Sequence, residues 1–297
     1  MTKEEMKSIA ENIIAVGKKE KWYKRWRNLA LLLLVVMLYQ VFSSPSQPVD
    51  NSHIAMINVD ETITQDSLFW DQFERINPVD TKAVLILMNT PGGAVGDSER
   101  LYNEISAIQA RFPTSLLVEN SATSGGYLGS LGADKIYAYN TSVIGSIGVV
   151  VKYWIMKELF ESFGIKEEMI TTGRNKGYPS PYQETPERVK QNLQALLDSD
   201  NEWFLSLVKE RRGIDRQGID AIRDAQVYNA HDALKLGLID GISSRQEQIN
   251  ALREQVGPLP IKDMSIDEDD VLGLSKLFQT QRKSFAKFSQ SFLSYLG

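Results

Sequence analysis

The chain has 297 residues, 42% hydrophobic and 24% charged, with a formal net charge of -5 at pH 7. That composition excludes wholesale disorder, and the length allows one sizeable core or two small domains. With no cysteine and only two histidines, disulfides, thiolate catalysis and cysteine-based zinc sites are excluded, and the charge gives no reason to expect nucleic acid.

The first predicted element is apolar. Leu29 to Phe42 reads LALLLLVVMLYQVF and carries no charge. Lys18, Lys19, Lys21, Lys24, Arg25 and Arg27 precede it, and the next basic side chain is Arg75. Lysine and arginine stay on the cytoplasmic side, so the N-terminus is expected inside and the bulk of the chain outside. Trp22, Tyr23, Trp26 and Tyr39 suit a membrane interface. The run is short of the roughly 20 residues that a span usually needs, and Arg27 could snorkel to extend it. A cleaved signal peptide is the rival, but the segment before the run is long and no small-x-small site follows. The expected organisation is therefore a cytoplasmic segment (1–27), a transmembrane anchor (28–43), a polar proline-containing linker (44–52), a catalytic-type domain (53–258), and an acidic turn with a C-terminal helix (259–297).

Within the domain, His53 to Val59 reads as a strand, and Ala83 to Met88 is a continuous apolar run of strand length. Ser98 to Ala110 has helical character, with Leu101, Ile105 and Ile108 on one face. Ser115 to Val118 and Lys135 to Tyr139 read as further strands, and Ser124 as a helix start. Strands alternating with helices predict an α/β fold with a mostly parallel sheet buried on both faces. A long helix follows Thr185, its expected N-cap, with Pro186 at the first position and Gly213 at the end. Val189, Leu193, Leu196, Leu197, Phe204, Leu207 and Val208 give that helix an apolar face for packing. In the tail, Leu274, Leu277, Phe278, Phe285, Phe288, Phe292 and Leu296 fall near one face beside Lys276, Arg282, Lys283 and Lys287. That helix packs on its own domain, on a neighbouring subunit or on a membrane surface. Asp267 to Asp270 lack the spacing of a calcium loop, and no metal or cofactor is expected.

Two glycine motifs carry chemistry. Asn89-Thr90-Pro91-Gly92-Gly93-Ala94-Val95 follows a strand, and its backbone N–H groups could serve an oxyanion hole. Ser124-Gly125-Gly126 places a hydroxyl at a helix N-terminus, where N–H groups favour an anion. Each motif alone is also an ordinary turn. A serine nucleophile needs a base, yet His53 and His231 both read as surface or capping residues. Lysine is the alternative base, and it must be neutral to act. A free lysine, with a pKa near 10.4, would need to fall by about 3 pH units, roughly 4 kcal/mol, which burial can supply. Lys176 lies in a glycine-bounded loop, TTGRNKGYP, with no carboxylate until Glu184.

Taken in order, NTPGGAV, SATSGGY, ADKIYA, GSIGVVV and TTGRNKGYPSPYQETPE resemble the signal peptide peptidase A family of serine–lysine membrane peptidases, in its short single-anchor form. The likeness runs from about Asn89 to Asp240. It implies Ser124 as nucleophile, Lys176 as general base, and Ser146 as the hydroxyl that orients the lysine amine. It also implies oxyanion donors at Gly93 and Gly125, with Gly92 as the neighbouring alternative. The implied fold is crotonase-like (Clp-protease-like), built of repeated ββα/βα units after one transmembrane helix. The implied function is a membrane-anchored serine endopeptidase that degrades signal peptides and other short or unfolded chains, without a cofactor. The implied setting is a bacterial inner (cytoplasmic) membrane, with the domain extracytoplasmic and assembled into a homo-oligomeric ring or dome. The alternatives are a non-catalytic membrane scaffold and an acyl-binding relative with the same fold.

Overall fold

A computed structural model describes residues 22–24, 26–37 and 50–265. The chain divides into two compact units, Met1–Asn51 and Ser52–Gly297. In the first unit, residues 22–24 and 26–37 are helical, with Leu31 to Val36 exposed. Among the described residues no helix is long and apolar enough to cross a membrane. Residues 38–43 of the expected anchor lie outside the described residues, as does the expected amphipathic helix after residue 265.

The second unit is a mixed α/β domain. It begins with β1 (His53–Val59), α1 (Trp70–Glu74), β2 (Thr81–Thr90), α2 (Val95–Gln109), β3 (Thr114–Thr123) and α3 (Gly125–Ser130). Next come β4 (Ile136–Ala138), β5 (Val143–Gly145), α4 (Lys157–Ser162), α5 (Glu187–Arg212) and α6 (Arg216–Ile222). It closes with β6 (Val227–Asn229), α7 (Ala230–Lys235), β7 (Gly241–Ile242), α8 (Arg245–Val256) and β8 (Ile261–Asp263). The strand order is β6-β5-β3-β2-β1-β8, with β4 between β3 and β7. Every pairing is parallel except β5 with β6. Because β8 pairs with β1, the sheet continues past the boundary expected at residue 258.

Side chains alternate between two buried faces. Ala55, Ile57, Val59, Val84, Ile86, Met88, Leu116 and Val118 join one core. Ile54, Ala83, Leu85, Leu87 and Leu117 join the other, with Leu252 of α8. Both faces being covered explains why Ala83 to Met88 of β2 reads as a continuous apolar run.

Strand β3 makes the feature that matters for function. Its first half pairs with β4 and its last three residues with β5. Between these, its register with β2 shifts, from Met88 opposite Val118 to Thr90 opposite Ala122. Extra residues on one strand bend it and raise its twist, so the end of β3 turns away from β4 toward β5. Ser124 stands at that end.

Three sequence expectations change. Thr185 does not cap α5; Pro186 is the N-cap, and the Thr185 hydroxyl is buried without a partner. The apolar face of α5 is buried only at Val189 and from Phe204 to Val208, while Leu196 is exposed. His53 is no surface residue: it is buried, with Nε2 3.2 Å from Thr81 Oγ1. Gly213 does end α5, in the left-handed conformation.

Asp240 anchors the C-terminal end of α5. Its carboxylate accepts from the Ile136 N–H at 2.8 Å, from Arg212 Nη1 at 2.9 Å and from Lys135 Nζ at 3.2 Å. Burial pushes its pKa up, but the Ile136 N–H and the Arg212 and Lys135 charges outweigh that and hold it below the ordinary aspartate value. A lowered folded pKa gives stability that is present above the unfolded value and lost as pH falls through the folded one. Asp240→Asn should therefore cost about 2 kcal/mol at pH 7. It should also flatten the acid limb of stability, as urea titrations between neutral and acid pH would show.

Candidate active site

Ser124 is the single residue between β3 and α3. Its backbone has φ 52° and ψ -122°, a region that a residue with a Cβ seldom enters. Such strain costs of order 1–3 kcal/mol and collects at functional sites. A serine on a sharp, strained strand-to-helix turn is also the geometry that exposes a nucleophilic hydroxyl. The turn is held from outside: the Ser124 N–H donates to Gly145 O at 2.8 Å. The hydroxyl is half-buried and reaches Gly148 O at 3.4 Å. Ser124→Gly should relieve the strain and raise stability by about 1 kcal/mol, whereas Ser124→Ala keeps the Cβ and should not. Urea midpoints at constant m would separate the two.

The glycine loop after β2 lies against this turn. Ile63 N–H donates to Gly92 O at 2.9 Å, and Ala94 N–H to Ile63 O at 3.0 Å. That bridge turns the Gly93 N–H away from Ile63. Gly92 has φ 97°, and its N–H donates to Thr90 Oγ1 at 3.1 Å. The N–H groups of Gly93 and Gly125 donate to no group among the described residues. They are close together: a Cβ built on Gly125 would lie 3.2 Å from Gly93 N and 2.0 Å from Ser98 Oγ. Close approach is thus what requires glycine at position 125. Of the two glycines in the first motif, Gly93 has the uncommitted donor.

Ser146 is on the neighbouring strand end. Thr123 pairs with Gly145, so Ser124 and Ser146 are next in register. Ser146 also has a positive φ, 50°, and its N–H donates to Gln226 O at 2.7 Å. Lys176 is not among the residues that line the pocket at Ser124. It is exposed, in a turn closed by its own N–H to Gly173 O at 3.1 Å. Its amine makes no hydrogen bond or ion pair among the described residues. No residue from Gly148 to Pro179 is buried, although the segment contains Val150, Trp154, Phe163 and Ile170. His231 is exposed on α7 and His53 is committed to Thr81, and neither lines the pocket at Ser124.

That pocket is lined by Ser124, Gly93, Gly125 and Ser98, with Leu128 and Val149 as apolar walls. Asp200, Trp203 and Phe204 of α5 complete it. Sequence reasoning took α5 as scaffold and missed these three; their i, i+3, i+4 spacing marks one face, but nothing in it says what that face meets.

The sequence profile of peptidase family S49 matches residues 106–258, slightly more than half of the chain. The chain belongs to peptidase family S49. The match includes Ser124, Ser146 and Lys176. An Enterococcus faecium protein with the provisional name signal peptide peptidase SppA is 29% identical over 175 residues, 59% of this chain and 51% of its own length. A provisional protease of Methanocaldococcus jannaschii is 30% identical over 184 residues, 62% of this chain and 58% of its own. Protease 4 of Haemophilus influenzae is 26% identical over 247 residues, 77% of this chain and 40% of its own. The chain thus spans about half the length of the curated relatives it matches. The signal peptide peptidase A resemblance read from the five motifs agrees with these relatives.

Proposed function

We propose that this S49 chain is a serine endopeptidase in which Ser124 attacks a peptide carbonyl and Lys176, as the free amine, accepts its proton. The observation that carries this reading is the strained Ser124 turn with two uncommitted glycine N–H groups beside it. As the carbonyl becomes tetrahedral, its oxygen takes hydrogen bonds from Gly93 and Gly125, where negative charge develops. The lysine then gives the proton to the leaving amine, and water repeats the sequence on the acyl-enzyme. Ser146 orients the amine. The mixed sheet with covering helices is read as crotonase-like.

Lys176 must come to Ser124 for this to work. The unburied segment from Gly148 to Pro179 carries both the lysine and large apolar side chains; Trp154 is 80% exposed and Phe163 73%. In the proposed homo-oligomeric ring or dome these side chains are covered by a second copy, and assembly completes the site. The same reading keeps residues 28–43 as a single anchor in a bacterial inner membrane, with the basic N-terminus inside and the domain outside. Substrates are then signal peptides and other short or unfolded chains at the membrane.

The test is cleavage of a synthetic signal peptide and an unfolded protein by the full chain in detergent. Ser124→Ala and Lys176→Ala should both abolish cleavage while staying folded and assembled. Activity retained in Ser124→Ala would sink the reading.

A further inference from the structure

The pocket beside Ser124 holds one charged group that this chemistry leaves unused. Asp200 is half-buried and lines the pocket with Trp203 and Phe204. Its neighbours on α5 have partners: Asp198 accepts from Gln194 Nε2 at 2.7 Å, and Glu202 binds Arg223. The Asp200 carboxylate makes no hydrogen bond or ion pair among the described residues. Phe204 and Leu128 are buried, while Trp203 is 37% exposed and stands at the rim.

We propose that Asp200 and Trp203 select a cationic side chain, lysine or arginine, on the acyl side of the bond that Ser124 attacks. The proposal rests on the peptidase reading and adds a substrate class to it. The pocket shares Ser124, Gly93 and Gly125 with the reacting centre, so the side chain nearest the attacked carbonyl is the one that meets it. The cavity is small, about 20 Å³, and opens to solvent. A long side chain therefore lies across the mouth rather than inside. Its methylene stem covers the apolar walls and its charged head meets the rim. There the indole face attracts a cation, and a carboxylate adds a charge-assisted hydrogen bond. A glutamate in the same place meets only repulsion.

The experiment uses the full chain in detergent and peptides that differ only at that one position: lysine, arginine, leucine or glutamate. Wild type should favour lysine and arginine over leucine, with glutamate poorest, in kcat/KM. Asp200→Asn, nearly isosteric, should lower the lysine-to-leucine ratio about tenfold. Asp200→Lys should turn the lysine-to-glutamate preference around. Reading ratios cancels any general loss from folding. No preference for basic residues in wild type, or ratios unmoved in either variant, overturns the pocket assignment and leaves the peptidase reading standing. Failure of wild type to cleave any of the four peptides overturns both.

Discussion

Ser124→Ala should lower peptide cleavage about 10⁴-fold or more, and Lys176→Ala should do nearly the same. The decisive result is the double variant, which should be no worse than either single one. Groups that act as a unit are grossly non-additive, because a serine without its base and a base without its serine are equally idle. Two independent residues would instead multiply their losses. The comparison needs both variants to fold, and the structure favours that. Ser124→Ala keeps the Cβ and every backbone bond of the turn, including Ser124 N–H to Gly145 O. Lys176 is exposed and its amine holds nothing in place. That Lys176 does not line the pocket at Ser124 adds a second expectation. Specific activity of wild type should rise with protein concentration and level off where assembly is complete. Activity per chain that is constant on dilution to the monomer would show that the lysine arrives by movement within one chain.

What the sequence made legible depended on length and on repetition of pattern. HIAMINV gave β1 to the residue, since seven apolar-rich positions bounded by polar ones are enough to fix a strand. Gly213 marked the end of α5 because only a left-handed residue closes a helix that way. Strands β5, β6, β7 and β8 span two or three residues each, too few for any period, and they exist through pairing with distant partners. The Ser124 site was half visible. Gly-Gly after a serine announces a turn, but a serine at φ 52° does not announce itself, because the strain is imposed by Gly145 and the bent end of β3. Asp200 and Trp203 were invisible for another reason. On a helix, core-facing and pocket-facing residues share one pattern, and only the tertiary arrangement tells them apart. The segment around Lys176 shows the converse. Its apolar residues suggest a core, yet Ile170 and Trp154 remain uncovered, so apolar content alone does not place a segment in the core of the domain.

Gly93→Ala should reduce kcat about 10²- to 10³-fold, the usual loss for one oxyanion donor. The steric cause is direct. A Cβ on Gly93 would lie 1.9 Å from Ile63 O and 2.6 Å from Ile63 C. These are backbone atoms in a bridge, so they cannot rotate aside as a side-chain tip could. The loop must move, which carries the Gly93 N–H away from the Gly125 N–H and costs about 3 kcal/mol of stability. Thr90→Val separates lost stability from lost chemistry. It removes the hydroxyl that accepts from Gly92 N–H and donates to Glu61 O at 2.6 Å, costing about 1–3 kcal/mol. It leaves the Gly93 N–H uncommitted, so kcat should fall far less. Below the melting range of both variants, Gly93→Ala should lose kcat with KM little changed, because the bond it disturbs strengthens only as the oxyanion forms. Equal losses of kcat in the two variants would show that loop rigidity alone is at stake and would remove Gly93 from the oxyanion hole.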